Sequence, residues 1–137
     1  MLATVDCIFC AIVEGAHPAE RVAETERALA FMDINPATRG HALVIPKEHA
    51  ADLLSLPAAD LAACAILAQE VAGRAIDRLG ADGVNVVNAC GAAAWQSVYH
   101  FHFHVVPRYA GRDGLHLPWI PTPGDPAEIG ETAALLR

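Results

Sequence analysis

Three histidines stand at alternate positions in the run Tyr-His-Phe-His-Phe-His-Val-Val-Pro at 99 to 107. Alternate side chains of an extended strand share a face, so the sequence places His100, His102 and His104 together. Phe101 and Phe103 then belong to the opposite face. The pattern predicts a strand with one face that packs, formed by phenylalanine, and one histidine face that does not pack.

Two kinds of chemistry suit such a histidine face, and the spacing alone does not choose between them. His102 and His104 can offer neutral imidazoles to a catalytic Zn²⁺ that keeps an open position for water. Alternatively, one imidazole can attack phosphorus while its neighbours hold the tautomer and stabilise developing charge. A solvent-exposed polar strand face is the third interpretation.

A pair of cysteines near the N-terminus has the spacing of half a zinc site. Cys7 and Cys10 are separated by two residues, which lets two thiolates converge on one tetrahedral ion. A thioredoxin-type redox pair would need a preceding strand, and residues 1 to 6 are too few to supply one. Cys64 lies on the apolar face of a predicted helix and is expected to be core.

The elements that must position these residues can be predicted from hydrophobic periodicity. A short helix is expected within 6–14, and a long one over 55–79 that ends at Gly80. Residues 128–137 can add a helical turn or two. The remaining apolar runs predict strands at 21–26, 28–32, 41–45, 83–89 and the histidine segment. Strands around one long and one short helix indicate an α+β domain with a mostly antiparallel sheet.

Composition limits the classes of partner. The chain has 137 residues, 54% of them hydrophobic, which predicts one soluble domain with a real core. Nine basic residues against sixteen acidic ones give a net charge of -7, which argues against binding duplex nucleic acid or an anionic membrane. No apolar run is long enough to span a bilayer, and no secretory signal is evident. The cytoplasm is the expected compartment.

The run from Ser97 to Arg108 resembles the signature of the histidine-triad (HIT) family of nucleotide hydrolases and transferases. The segments CIFCAIVEG at 7–15, AFMDINPATRGHALVIPKEH at 30–49 and VNVVN at 84–88 resemble other parts of the family in the same order. The likeness covers about 5–109 of a single domain that spans 1–137, and leaves the tail 110–137 less well covered. It implies the HIT fold, with about five mostly antiparallel strands, and a homodimer.

The resemblance also implies a covalent mechanism. His102 would attack the α-phosphorus of a nucleotide to form a nucleotidyl-histidine, which water hydrolyses to the nucleoside monophosphate. A backbone carbonyl would hold the proton on Nδ1 of His102. His104 would donate a hydrogen bond to phosphate oxygens and leaving group, Ser97 would donate to the leaving group, and His41 would lie beside the triad.

Substrate residues follow from the same resemblance. Asp33 would accept hydrogen bonds from both ribose hydroxyls, Gln96 would reach a phosphate oxygen with its amide, and Asn88 would lie near the leaving group. Trp95 stands where the family commonly carries glycine, which leaves the loop geometry open. The apolar walls of a purine base pocket would be formed by Ile8, Phe9, Phe31 and Ile34.

For the metal, the resemblance implies a structural zinc ion bound by Cys7, Cys10, His49 and His100, and no organic cofactor. The expected function is hydrolysis of purine nucleoside phosphoramidates or related adenosine 5'-monophosphate derivatives. Hydrolysis of dinucleoside polyphosphates is the alternative within the enzyme class. A nucleotide- or zinc-binding adaptor with an idle triad is the alternative outside it. In the tail, Trp119 is expected to pack near the active site of the partner subunit, and packing on its own subunit is the alternative.

Overall fold

The computed structural model describes residues 6–112, 115 and 121–137. Trp119 lies outside the described residues, so its packing stays a prediction. Within them the chain forms three α-helices, five strands and a 3₁₀ turn at Ala92–Ala94. The helices are α1 (Ile8–Glu14), α2 (Ala58–Leu79) and α3 (Pro126–Leu136). The strands are β1 (Arg21–Glu24), β2 (Ala28–Met32), β3 (Ala42–Pro46), β4 (Gly83–Val87) and β5 (Phe103–Arg108).

The five strands form one sheet in the order β1-β2-β3-β5-β4, and every neighbouring pair is antiparallel. This confirms the predicted α+β class with a long and a short helix. The C-terminal helix α3 spans 11 residues, more than the turn or two that the sequence indicated. Asp125 caps it by accepting a hydrogen bond from the amide of Ala127.

Both faces of the sheet are packed, which explains the continuous apolar runs of β2 and β3. In β2, Ala28 and Ala30 face α2, while Leu29 and Phe31 face the side that carries α1. β3 repeats the pattern, with Ala42 and Val44 towards α2 and Leu43 and Ile45 towards α1. Small residues on one face let the long helix approach the sheet closely.

The long helix begins later than its pattern predicted. α2 starts at Ala58 after Pro57, because the side chain of Ser55 instead bonds Asp52 in the preceding turn. It ends as expected at Gly80, which takes the left-handed conformation. Cys64 is fully buried on its inner face, as predicted. Among the described residues, no helix combines the length and apolar character needed to cross a bilayer.

The histidine segment is a regular strand only from Phe103 onward, so the strand prediction was wrong for its first residues. The reason is that the backbone groups of these first residues form hydrogen bonds outside the sheet. The amide of Phe101 donates to the carbonyl of Ala50, and the carbonyl of His102 accepts from the side chain of Asn88. These groups are satisfied outside the sheet ladder, while the alternation of side chains persists.

The prediction that the histidine face does not pack was also wrong. His100 is fully buried and His102 is 6% exposed. Helix α1 covers this face, and the ring of Phe9 meets the two imidazoles edge-on at centroid distances of 5.9 and 5.2 Å. The short helix therefore builds a second packed layer around the triad.

Candidate active site

A cavity of about 370 Å³ opens on the face of the sheet that carries α1. This volume lies at the lower end of the range for small-molecule sites, about 300–1,000 Å³. Most of the predicted site residues line it, namely Ile8, Phe9, Phe31, Asp33, Ile34, Ser97, His102 and His104. These predicted residues combine apolar side chains with a carboxylate, a hydroxyl and two imidazoles, and His17 adds a third imidazole to the lining. His41, Asn88 and Gln96 are not part of its lining.

The ring of His102 has a fixed tautomer. Its Nδ1 lies 2.8 Å from the carbonyl oxygen of His100, and a carbonyl can only accept. Nδ1 therefore carries the proton, and the lone pair is left on Nε2. Because the ring is almost completely buried, its orientation is fixed as well. In this tautomer the lone pair on Nε2 is available as a nucleophile at the cavity wall.

A chain of hydrogen bonds sets the tautomer of His104. The amide of Ala37 donates to Nδ1 of His41 at 2.9 Å, so the proton of His41 must lie on Nε2. That Nε2 is 2.9 Å from Nδ1 of His104 and donates to it. His104 is left with its own proton on Nε2. One backbone amide thus makes His104 a hydrogen-bond donor.

Burial keeps both rings of this chain neutral. It lowers the pKa of His104 to about 4, helped by repulsion from His102 and His41 and opposed by the charge of Asp33. Burial also lowers the pKa of His41, again against the attraction of Asp33. Both imidazoles are uncharged near neutral pH, as the tautomer assignment requires.

Asp33 follows the last residue of β2 and holds a defined position. Its Oδ1 accepts from the amide of Asn35 at 2.8 Å, and its Oδ2 lies 3.4 Å from Nε2 of His41. Two carboxylate oxygens offer about four acceptor positions, so these contacts leave capacity for hydroxyl groups of a ligand. The structure therefore places Asp33, the predicted ribose-binding residue, next to the hydrogen-bonded pair His41 and His104.

Asp33, His41 and His104 have ligand atoms within 4.8 Å of one another, which raises the question of a metal ion. A metal on Nε2 of His41 would force the proton onto Nδ1, where the amide of Ala37 already points a hydrogen. Hydrogen bonding explains this cluster better than metal binding. Among the described residues, no histidine, cysteine or carboxylate lies close enough to His102 and His104 to complete a metal site with both of them. The interpretation of these two histidines as ligands of a catalytic zinc ion therefore gains no support.

Gln96 and Asn88 bind protein groups rather than facing the cavity. Gln96 accepts from the amide of Gly91 and donates both amide hydrogens, to the carbonyls of Ala51 at 2.7 Å and Val98 at 3.1 Å. It therefore orders the loop that carries Ser97. Its predicted reach to a phosphate oxygen stays a prediction.

Asn88 holds the backbone of the triad. Its Nδ2 donates to the carbonyl of His102 at 3.0 Å, just before the strand ladder begins. Its Oδ1 is buried and has no partner among the described residues. The predicted role of Asn88 near the leaving group stays a prediction, because the contact in this structure is to the backbone.

Trp95 takes the backbone conformation that glycine favours. Its φ of 73° is left-handed, and its amide closes the 3₁₀ turn by donating to Ala92. This conformation costs an ordinary residue about 1–2 kcal/mol. The bonds of Gln96 next to it hold the loop in this shape. The indole, 74% exposed, points into solvent instead of filling the loop.

The four predicted metal ligands converge at the other end of the triad segment. Cys7, Cys10, His49 and His100 have ligand atoms that all lie within 4.8 Å of one another. Cys7 stands before α1, and its sulfur also accepts from the amide of Cys10. Nε2 of His100 lies 2.8 Å from the carbonyl of Pro46, which fixes that proton and frees Nδ1 for the cluster.

The spacing of these atoms fits a tetrahedral zinc ion. Zn–S bonds of about 2.3 Å and Zn–N bonds of about 2.0 Å give a tetrahedron with S–N edges of about 3.5 Å and an N–N edge of about 3.3 Å. The sulfur of Cys10 is 3.4 Å from Nδ1 of His49 and 3.5 Å from Nδ1 of His100. The sulfur of Cys7 is 3.4 Å from Nδ1 of His100, and the two imidazole nitrogens are 3.2 Å apart. The donor set therefore matches zinc in both chemistry and size.

Sequence analysis predicted the backbone carbonyl that holds the proton of His102 but missed two other backbone groups that set tautomers. The amide of Ala37 and the carbonyl of Pro46 each fix one imidazole proton. Backbone groups are present at every residue, so no pattern of side chains distinguishes them. The only indirect signal was the turn-forming pair Asn35 and Pro36 between Asp33 and β3.

The comparisons with known proteins agree on one family. A family model described as HIT domain matches residues 14–111. The chain is 42% identical over 125 residues to the adenosine 5'-monophosphoramidase hnt1 of Schizosaccharomyces pombe, and the match covers 91% of each chain.

Two solved structures show the same architecture over nearly the whole chain. A zinc-bound histidine triad family protein from Mycobacterium smegmatis has a TM-score of 0.78 and 43% identity, and the match covers 97% of this chain and 95% of that one. A histidine triad nucleotide-binding protein from Candida albicans has a TM-score of 0.85 and 31% identity, with 96% and 94% covered.

Proposed function

Because the chain belongs to the HIT domain family, we propose that it hydrolyses purine nucleoside 5'-monophosphate derivatives, above all adenosine phosphoramidates. The observation that carries the proposal is the fixed tautomer of His102, whose Nδ1 lies 2.8 Å from a carbonyl at the wall of a ligand-sized cavity. The name of the Schizosaccharomyces pombe relative, an adenosine 5'-monophosphoramidase, supports the choice of the P–N bond.

In the first step, Nε2 of His102 attacks the α-phosphorus, and the bond from phosphorus to the leaving nitrogen breaks. The leaving amine takes a proton, for which we assign Ser97 and Nε2–H of His104, both in the cavity lining, as donors. A neutral imidazole approaches the anionic phosphoryl group without charge repulsion, and the nucleotidyl-imidazolium that forms is a good leaving group. Water then attacks phosphorus and the bond to His102 breaks, which releases the nucleoside monophosphate, and the proton lost by water restores the donor that protonated the amine.

Substrate recognition would use the rest of the same cavity. Asp33 supplies acceptor oxygens for the ribose hydroxyls, since its amide contact occupies only part of its capacity. Phe9 and Phe31 form the buried part of the apolar wall, and Ile8 and Ile34 are its more exposed part. A planar purine base suits such a wall because both faces of the base are apolar enough to be buried.

The direct test compares leaving groups on one purified protein. We expect faster hydrolysis, by kcat/KM, of an adenosine 5'-phosphoramidate than of a diadenosine polyphosphate. The reverse order would favour the dinucleoside polyphosphate alternative. Binding of adenosine 5'-monophosphate without turnover of either compound would favour an adaptor with an idle triad.

For the metal cluster we propose a structural zinc ion held by Cys7, Cys10, His49 and His100. The zinc-bound Mycobacterium smegmatis protein supports this, as does the tetrahedral spacing of the donor atoms. The ion would supply a cross-link between the start of α1 and the triad segment.

Metal analysis of purified protein tests the zinc proposal. Cys7→Ser should lower the zinc content well below one ion per chain and lower the melting temperature. Cys90→Ser, at a half-buried cysteine outside the cluster, is the matched control and should leave zinc content unchanged. Zinc-free wild-type protein after refolding with excess zinc would rule the site out.

We also propose that the chain forms a homodimer. β4 is an edge strand of the sheet, and Val86 on it is 47% exposed. On the outer side of α2, Ile66 and Ile76 are 65% and 42% exposed. Light scattering should give twice the chain mass, and Ile66→Glu should shift it towards that of the monomer. A monomeric wild type at high concentration would contradict the proposal.

A further inference from the structure

A second cavity, of about 320 Å³, lies between α2 and strands β1 to β3, on the sheet face opposite the triad. Its floor is apolar. Val22 and Ala42 contribute from the strands, and Val71, Ala75 and Leu79 contribute from the helix. This volume is enough for a small organic molecule. Nothing in the proposed reaction uses this groove.

Three arginines stand around the same groove, in a chain that has only nine basic residues. Arg74 is already engaged, because its guanidinium bonds Glu70 at 2.8 Å and the carbonyl of Val22 at 3.2 Å. Arg39 and Arg78 form no ion pair with any described residue. An acidic protein with a net charge of -7 therefore keeps two exposed guanidinium groups without an ion pair among the described residues, beside an apolar groove.

Ordinary helix energetics explain only part of this arrangement. Arg78 lies in the last turn of α2, where a cation is favoured by the helix dipole. Arg39 does not belong to the helix. It lies exposed in the turn that precedes β3, so the helix dipole does not account for its position at the groove.

The end of the groove is closed by a tight contact. Gly40 has a φ of +89°, and a Cβ atom there would lie 2.5 Å from Cδ1 of Leu79. The backbone at Gly40 therefore packs against the side chain of Leu79 at the end of α2, next to Arg39. The groove is preformed rather than opened by a ligand, which lowers the free-energy cost of binding.

We propose that this groove binds a small amphiphilic carboxylate that is free in solution. The planar guanidinium groups of Arg39 and Arg78 suit a carboxylate, which they can bind with paired hydrogen bonds. The apolar floor suits a hydrocarbon body. A highly charged nucleotide would leave that floor unused, and two free arginines are too few to hold a membrane or nucleic-acid surface. The proposal is independent of the reaction at the triad.

Isothermal titration calorimetry with decanoate, below its micelle concentration, tests the proposal. We expect saturable binding of one decanoate per chain. Acetate has the charge without the hydrocarbon and decanol the hydrocarbon without the charge, so each should bind at least tenfold more weakly. Saturating adenosine 5'-monophosphate should not displace decanoate, because the nucleotide belongs in the other cavity.

Matched variants locate the site. Arg39→Ala combined with Arg78→Ala should weaken decanoate binding at least tenfold. Arg112→Ala combined with Arg137→Ala removes the same charge from exposed positions elsewhere and should leave the affinity unchanged. Ala75→Leu fills the groove and should also weaken binding, with circular dichroism showing that the fold is retained.

Four results would overturn the proposal. They are the absence of saturable decanoate binding, equal affinity for decanol, equal loss in the two arginine double variants, and displacement by adenosine 5'-monophosphate. Association with anionic lipid vesicles in place of free decanoate would overturn it as well, since the groove would then be part of a membrane-binding surface.

Discussion

Replacing His41 by alanine should slow the reaction although His41 does not line the cavity. His41 is a positioning residue in this account, because its Nε2 proton is donated to Nδ1 of His104 at 2.9 Å. Alanine removes that donor. His104 can then place its own proton on either nitrogen, and the tautomer that donates into the cavity is no longer enforced.

The size of the effect can be worked from the contact that is lost. Nδ1 of His104 would become a partly buried acceptor without a protein partner, which costs about 1–3 kcal/mol. If that cost falls on the transition state, kcat should drop by about 5- to 150-fold. KM should change less than kcat, because Asp33 loses its 3.4 Å contact with His41 but keeps its hydrogen bond from the amide of Asn35. The expected signature is a loss in kcat.

A conservative variant separates orientation from mere packing. In His41→Gln, the side-chain oxygen can accept from the amide of Ala37, and the side-chain nitrogen can donate to His104. This variant should recover most of the rate lost in His41→Ala. Each variant is first checked for folding. Steady-state hydrolysis of an adenosine 5'-phosphoramidate at pH 7.5 then gives kcat and KM for both variants. Full activity in folded His41→Ala, or an equal loss in both variants, would refute the hydrogen-bond chain.

Three further predictions concern the ribose contact, the pH range and the strained loop. A 2'-deoxy substrate should lose about 1–3 kcal/mol in kcat/KM with wild-type protein, and Asp33→Asn should shrink that difference; equal rates for ribo and deoxyribo substrates would contradict the contact. Burial lowers the pKa of His104 from 6.5 to about 4, so the unfolded chain binds more protons between these values. Stability in urea should therefore fall as the pH falls from 6.5 towards 4, and His104→Gln should flatten that dependence; an unchanged slope would count against the buried neutral ring. At the loop, Trp95→Gly should be more stable than Trp95→Ala by about 1 kcal/mol in urea unfolding, because alanine keeps the cost of the left-handed conformation. Equal stability of the two variants would mean that the loop relaxes.

The parts of the fold that depend on periodicity could be predicted from the sequence. The repeat of apolar residues located α2, and Gly80 marked its end because a left-handed residue there favours glycine. The continuous apolar run of β3 indicated a strand buried on both sides, which is the case. Both signals are local and strong.

The start of β5 and the packing of the triad could not be predicted this way. His100 shares a face with His102, as alternate residues of a strand would, yet its neighbour Phe101 bonds Ala50 in a loop far away in sequence. A strand pattern describes side chains and says nothing about which groups satisfy the backbone. Similarly, the burial of the histidines depends on α1 folding over them, which is a tertiary contact without a local signal.

Within the site, residue types were easier to predict than their contacts. Asp33, Ser97 and His104 meet at one cavity, as the resemblance implied. Gln96 and Asn88 instead use their amides to hold backbone around that cavity. An amide side chain can serve a ligand or a loop equally well, and only three-dimensional contacts separate the two uses.

The most direct test of the central claim is a search for the covalent nucleotidyl-histidine. Wild-type protein mixed with an adenosine 5'-phosphoramidate and quenched without acid should gain the mass of one adenylyl group in intact mass spectrometry, and peptide mapping should place it on His102. His102→Ala should bind adenosine 5'-monophosphate yet show no adduct and lose several orders of magnitude in kcat. Near-wild-type turnover by His102→Ala, or an adduct on another residue, would contradict the account.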